Sequence, residues 1–209
     1  ATGLIVAPGI VDLHGDGFEK HFSPRAGVFF DIEVALIETD RQLLANGITT
    51  AYLALTISWE PGLRSLDNAR AVVDAWRRLR PRFVTDVRLQ LRWEVFALDA
   101  AEAVEGWLSL DPRPTLAFND HFTMLLDPEM AQRQSVADYA KRAGISVADY
   151  DTLTKRTVAR KDEAPDMIKR LTQAAAAVGA NCLAHDEKSA KVRRANRELG
   201  ISISEYPVT

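Results

Sequence analysis

Arg88-Leu89-Gln90-Leu91-Arg92-Trp93-Glu94 alternates charged or amide side chains with large apolar ones, residue by residue. A strict period of two marks a β-strand with two unlike faces. The run belongs to one of six strand candidates: Leu4–His14, Ile48–Ile57, Val87–Val95, Thr115–Asn119, Asn181–His185 and Ile201–Tyr206. Helical segments lie between them at Ile32–Ala45, Leu66–Leu79, Ala100–Leu108, Asp162–Val178 and Ser189–Leu199. Asn46-Gly47, Pro81, Gly179 and Gly200 supply stop signals at or just past four of these helix ends. Strand and helix in regular alternation imply a parallel sheet. A central strand of an open, doubly wound sheet is covered on both faces and tends to be apolar throughout. Alternation across 88–94 instead puts helices on one side and a polar lumen on the other. The fold class is therefore α/β, a (β/α)8 TIM barrel of the metal-dependent hydrolase type, incomplete at about six strands.

The 209 residues are 47% hydrophobic and 26% charged, enough for one sizeable core, and residues 1–209 read as a single barrel domain. Lys and Arg total 26 against 29 Asp and Glu, a net charge of −3, which argues against a nucleic-acid partner. No apolar run approaches the ~18 residues of a membrane span, and no signal peptide opens the sequence. A lone Cys182 excludes an internal disulfide framework, so a cytoplasmic setting is expected. ATGLIVAPG at one end and ISISEYPVT at the other lie against strands, which suggests a fragment of a larger barrel. Such a partial barrel would expose an edge strand, open to pairing with a second copy as a homo-oligomer.

A segment at about 122–161 is too long for an ordinary strand-to-helix connection and reads as a helical insertion, with helices at Ser135–Ala143 and Val147–Arg160. It carries Arg133, Lys141, Arg142, Lys155, Arg156, Arg160 and Lys161. It is either a lid that clamps an anionic substrate or a solvated helical excursion.

Histidine occurs four times, and three of the four sit beside a carboxylate at a strand end: His14 with Asp16, His121 after Asp120, and His185 before Asp186. Barrel enzymes place their chemistry at that rim. Imidazole with carboxylate suits Zn²⁺, Fe²⁺ or Mn²⁺. His14 and Asp16, two apart on a strand, point the same way. Glu94 either bridges two metal ions or pairs with Arg92 or Arg88 inside the lumen. Asp120 and His121 supply a ligand and its supporting partner, or Asp120 merely starts a turn. His21 lies in the loop after the first strand, and Arg25 near the mouth could fork onto phosphate. No P-loop, GxGxxG, GxSxG or CxxC occurs, so nucleotide-fold, serine-hydrolase and thiol chemistry find no support.

PGIVDLHGD, residues 8–16, resembles the first metal strand of the amidohydrolase superfamily. Asp16 in place of a second His, followed by Lys20 and Pro24-Arg25, is similar to the phosphonate-metabolism branch, the α-D-ribose 1-methylphosphonate 5-triphosphate diphosphatases. Asn46-Gly47-Ile48-Thr49-Thr50, the 88–94 strand, Leu183-Ala184-His185-Asp186-Glu187 and Glu205-Tyr206-Pro207-Val208-Thr209 extend the resemblance along nearly the whole chain. Phe122-Thr123-Met124 departs from that branch, which continues Ser-Pro-Gly-Gln. The resemblance implies two divalent ions (Zn, Fe or Mn) on His14, Asp16, Glu94, His121 and His185. It also implies catalytic roles for Asp120 and His121, and contacts from Lys20, His21, Arg25, Arg92 and Asp186 to a small phosphorylated substrate. The implied reaction is release of diphosphate in phosphonate metabolism. Two other readings are an amidohydrolase acting on a cyclic amide, an N-acyl amino acid or a nucleobase, and a metal-free barrel fragment that serves as a scaffold.

Overall fold

The computed structural model describes residues 3, 5–126 and 136–207, with side chains left aside at 124–126. Six strands form one sheet: β1 (Ile10–Gly15), β2 (Ile48–Ile57), β3 (Asp86–Glu94), β4 (Thr115–Asn119), β5 (Cys182–His185) and β6 (Ile203–Glu205). Every neighbouring pair is parallel, and spatial order equals chain order. A doubly wound sheet reverses its order at a switch point. This one never does, and it curls into a half-barrel whose strand ends all open on one rim.

The helices are α1 (Phe18–Phe22), α2 (Ile32–Ala45), α3 (Leu66–Leu79), α4 (Ala101–Trp107), α5 (His121–Leu126), α6 (Val136–Ala143), α7 (Val147–Ala159), α8 (Ala164–Val178) and α9 (Ala190–Glu198). Asp31, Ser65, Ser146 and Ser189 each accept a backbone N–H in the first turn of the helix that follows. Gly179 ends α8 in the left-handed region at φ 70°, where a Cβ would be strained.

The alternation of β3 is realised in its burial. Leu89, Leu91 and Trp93 belong to the apolar core with Leu36 and Leu43 of α2, Val72, Val73 and Trp76 of α3, and Leu171 of α8. On the opposite, lumenal face, Gln90, Arg92 and Glu94 are only 1, 4 and 3% exposed. Register carries this face across the sheet: Arg92 lies beside Thr56 of β2 and Ala117 of β4, and Glu94 beside Asn119.

The structure corrects several boundaries. The first strand begins at Ile10, whereas the apolar pattern extends it back to Leu4, which itself lies outside the described residues. Ile5 and Val6 are almost fully exposed, because pairing with the neighbouring strand starts only where Ile10 N–H meets the Gly47 carbonyl. Pro8 has no N–H to extend the ladder. The loop after β1 contains the helix α1, and the stretch after β4 is helical from His121. Arg133, Ser135, Val208 and Thr209 lie outside the described residues. The remaining elements fall within two residues of their predicted ends, the usual scatter where fraying and capping decide a terminus.

The start of β3 is pinned to two helices. Trp76 Nε1 donates to the Val87 carbonyl at 3.0 Å, and Asp40 accepts from Val84 N, Thr85 N and Thr85 Oγ1. Trp76→Ala should destabilise the chain by about 3–5 kcal/mol through lost burial and a cavity. Trp76→Phe should cost less, since most of the ring volume is kept. Urea unfolding of both variants checks the order.

Candidate metal centre

His14 stands near the end of β1, Glu94 ends β3, His121 opens α5 just past β4, His185 ends β5 and Glu205 ends β6. Parallel strands deliver all five to one rim, and the curl of the sheet brings its two edges together there. His14 Nδ1 lies 2.6 Å from Glu205 Oε1, a bond between the first strand and the last. Gln90 Nε2 donates to the same oxygen at 3.1 Å, while Glu205 Oε2 is buried without a partner among the described residues. Asp186 Oδ2 lies 2.8 Å from His185 Nδ1, within ion-pair reach but off the line of a hydrogen bond.

Each of these imidazoles therefore turns Nδ1 to a carboxylate, which leaves Nε2 as the atom with the lone pair. The two Nε2 atoms converge on Arg92, whose guanidinium nitrogens lie 3.3 Å from His14 and 3.4 Å from His185. The His14 and His185 rings are 5.0 Å apart. Asp16 Oδ2 is 3.8 Å from His14 Nε2. Burial, and after it the charge of Arg92, hold His185 below the ordinary imidazole pKa, so that it is neutral at pH 7. Imidazoles with converging lone pairs beside carboxylates make a donor set that fits a divalent cation. Among the described residues two groups meet the distance requirement for one ion, His14 with His185 and Glu205, and His121 with His185 and Asp186, the donor atoms of each lying within 4.8 Å of one another.

Glu94 is engaged differently from either expectation. Its carboxylate accepts from His121 Nδ1 at 2.5 Å and from the His121 backbone N–H at 3.2 Å, with no ion pair to Arg92 or Arg88. Arg88 turns to Asp86 and Tyr52 instead. Burial alone would raise the Glu94 pKa, but the bonds and charge of His121 bring it below the usual carboxylate value. The same hydrogen bond lifts His121 above the usual imidazole value, against the opposing effect of burial.

The other predicted residues scatter. Asp120 Oδ1 accepts from Thr123 N at 2.9 Å, capping α5, and the residue is exposed. His21 Nδ1 meets Thr39 Oγ1 of α2 at 2.9 Å and lines a separate cavity of about 220 Å³. Lys20 on α1 and Arg25 in the loop after it are exposed, and among the described residues neither pairs with a histidine. Asn119, Asp120, His185 and Asp186 share the wall of a cavity of about 340 Å³ that runs between β4, β5 and α9. A larger one, about 500 Å³, lies under α7 between Trp59, Phe96 and Leu153 and does not include the histidines.

Four residues of the centre were not singled out in sequence. Glu205 backs His14, and Tyr206 sets its ring 4.9 Å from His14 and 5.7 Å from His185. Tyr206 does so with φ 52°, a costly conformation for an aromatic residue, matched by φ 55° at Asp186. Arg64, after β2, grips Glu19 of α1 through Nε and Nη2 at 3.3 and 3.0 Å. The signal for Glu205 is its place: a carboxylate at a strand end of a parallel barrel. Tyr206 falls in the 205–209 segment that carries the resemblance, and no local pattern marks Arg64 or Glu19.

Fold and site thus define a parallel α/β half-barrel with a histidine–carboxylate cluster at its C-terminal rim. The sequence is similar to the α-D-ribose 1-methylphosphonate 5-triphosphate diphosphatase of Escherichia coli (strain K12), 24% identical over 213 aligned residues. The match takes in 97% of this chain and 54% of that protein, so the chain spans about half the length of its curated relative. No family model and no solved structure matches the chain.

The His121–Glu94 pair makes stability pH-dependent. The raised imidazole contributes fully below the ordinary histidine pKa and loses its contribution as pH rises through its folded value. The lowered carboxylate contributes fully above the ordinary carboxylate pKa and loses its share as pH falls through its folded value. The stability advantage of the metal-free wild type over His121→Gln should therefore be largest between about pH 5 and 6.5 and smaller near pH 9. Urea titrations at the two pH values measure it.

Proposed function

We propose that this chain forms the metal-holding part of an amidohydrolase-type hydrolase that cleaves a phosphoanhydride, releasing diphosphate from a ribosyl triphosphate that carries a phosphonate. The observation that carries the proposal is the pair of imidazole Nε2 atoms converging on one cation, each imidazole backed by a carboxylate. The similarity to the diphosphatase supports this choice of substrate class. On this reading residues 1–209 act as one barrel unit, the substrate is a small anion, and membranes and nucleic acids play no part. No described helix is long and apolar enough to cross a membrane.

His14 Nε2 and His185 Nε2 would hold the ion with Asp16, while Glu205 and Asp186 orient the imidazoles. A second ion would draw on His121 and Asp186. A divalent ion there supplies Lewis-acid stabilisation for charge that develops on the phosphoryl oxygens. The protein's own groups do the rest. Glu94 holds Nδ1 of His121 and so turns its Nε2 toward Asp186, 3.8 Å away, where it would serve that second ion as a ligand. Arg92 offers a planar fork to phosphate, and Lys20 and Arg25 add charge at the mouth.

Metal-replete protein should carry about one or two equivalents of transition metal, and His185→Ala should carry none at the centre. Glu205→Gln, which keeps the shape but weakens the anchor on His14, should lower metal affinity or turnover about 10–100-fold. Diphosphate release from a ribosyl triphosphate is the activity to measure. Release of ammonia or carboxylate from cyclic amides or N-acyl amino acids in its place would reassign the substrate class.

A further inference from the structure

We propose that Arg92 is an internal stand-in for the metal ion, holding the His14–His185 pair in its ligating geometry until an ion displaces it. The inference rests on the metal-hydrolase reading and adds a role for Arg92 before any substrate arrives.

A guanidinium can only donate, so both imidazole nitrogens that face it must be acceptors. That is the state a metal ion requires of them. Arg92 reaches both with different nitrogens, at 3.3 and 3.4 Å, and so bridges β1 and β5 from β3 as a shared ion would. Its placement is otherwise hard to account for. The side chain is 4% exposed, and a buried cation is costly without an anion against it. Among the described residues Arg92 forms no ion pair, and Glu94 on the same strand face is taken by His121. Its remaining partner is neutral: turned with its oxygen inward, Asn119 accepts from Arg92 Nε and Nη2 at 3.1 and 3.2 Å. Glu205 acts on it only at longer range.

Two imidazole lone pairs and an amide oxygen therefore hold a charge of +1 where a charge of +2 would bind more strongly. The two cations cannot share those lone pairs, and their repulsion in a water-poor lumen is large. Metal entry must push the guanidinium off both nitrogens. A long, flexible side chain anchored on β3 can then turn its fork toward an anion at the rim.

The prediction concerns affinity. Zinc binding to metal-free full chain, measured by competition with a chromophoric chelator, should be about tenfold or more tighter in Arg92→Met than in wild type. Unchanged or weaker binding overturns the proposal. Arg92→Ala gives a second measurement that does not depend on how well methionine packs. Guanidinium ion at non-denaturing concentration should weaken zinc binding to Arg92→Ala and leave wild type unaffected, while urea at the same concentration affects neither. Failure of guanidinium to compete also counts against the stand-in role. If wild type itself binds no zinc, the metal-hydrolase reading falls together with this one. If wild type binds zinc and Arg92→Met gains nothing, only the stand-in role falls.

Discussion

The hydrogen bond between His14 and Glu205 joins the first strand of the sheet to the last at their C-terminal ends. Sheet pairing does not connect those two strands, and the backbone ladder stops at β1 on one side and β6 on the other. The bond is available because parallel strands twist in one sense and the sheet curls. It matters because the residue it orients is a candidate ligand. Once Nδ1 of His14 is committed to Glu205, Nε2 must face the lumen, where His185 and Arg92 meet it. The geometry of the centre is thus a consequence of how far the sheet curls. A flatter sheet carrying the same residues would leave His14 and His185 on separate strands with no common target.

The same rim is steadied from outside by the α6–α7 excursion. Glu60, buried just beyond β2, accepts from Arg142 Nη2 at 3.0 and 2.8 Å and from Tyr150 Oη at 2.6 Å. Gly62 lets the backbone pass close to the carbonyl of Ala143, where a Cβ would stand only 3.1 Å from that oxygen. Trp59 then touches Phe122, and Phe96 touches it from the other side. Phe122 follows His121, so the excursion is connected by packing to the residue that holds Glu94. Several of its basic side chains are already paired, Arg142 with Glu60, Lys155 with Asp151 and Arg160 with Asp99 and Glu163. These three charges are spent on internal pairs.

Strain gathers at the same place. Asp186 and Tyr206, at the ends of the adjacent strands β5 and β6, are the non-glycine residues with positive φ among those described. The Asp186 N–H bonds the Glu205 carbonyl at 3.0 Å, which couples the two turns. Aspartate tolerates this region, whereas tyrosine does not readily. The Tyr206 ring lies against both histidines, at 4.9 and 5.7 Å.

Periodicity determined the architecture. Alternation along 88–94 required a polar lumen, and regular exchange of strand and helix required parallel order, because both follow from local backbone geometry. His14, His121 and His185 were legible for the same reason, since a strand end in a parallel barrel always lies on the functional rim. The sequence could not decide which atoms pair. Glu94 met His121 and not an arginine, Asp120 became a helix cap, and His21 turned toward α2, because each outcome depends on which side chains the curl of the sheet brings within about 3 Å. Glu205 is 191 residues from His14, and Arg92 is 93 from His185. Contacts across such separations carry no periodic or spacing signal along the chain; only the closed geometry of the folded sheet creates them.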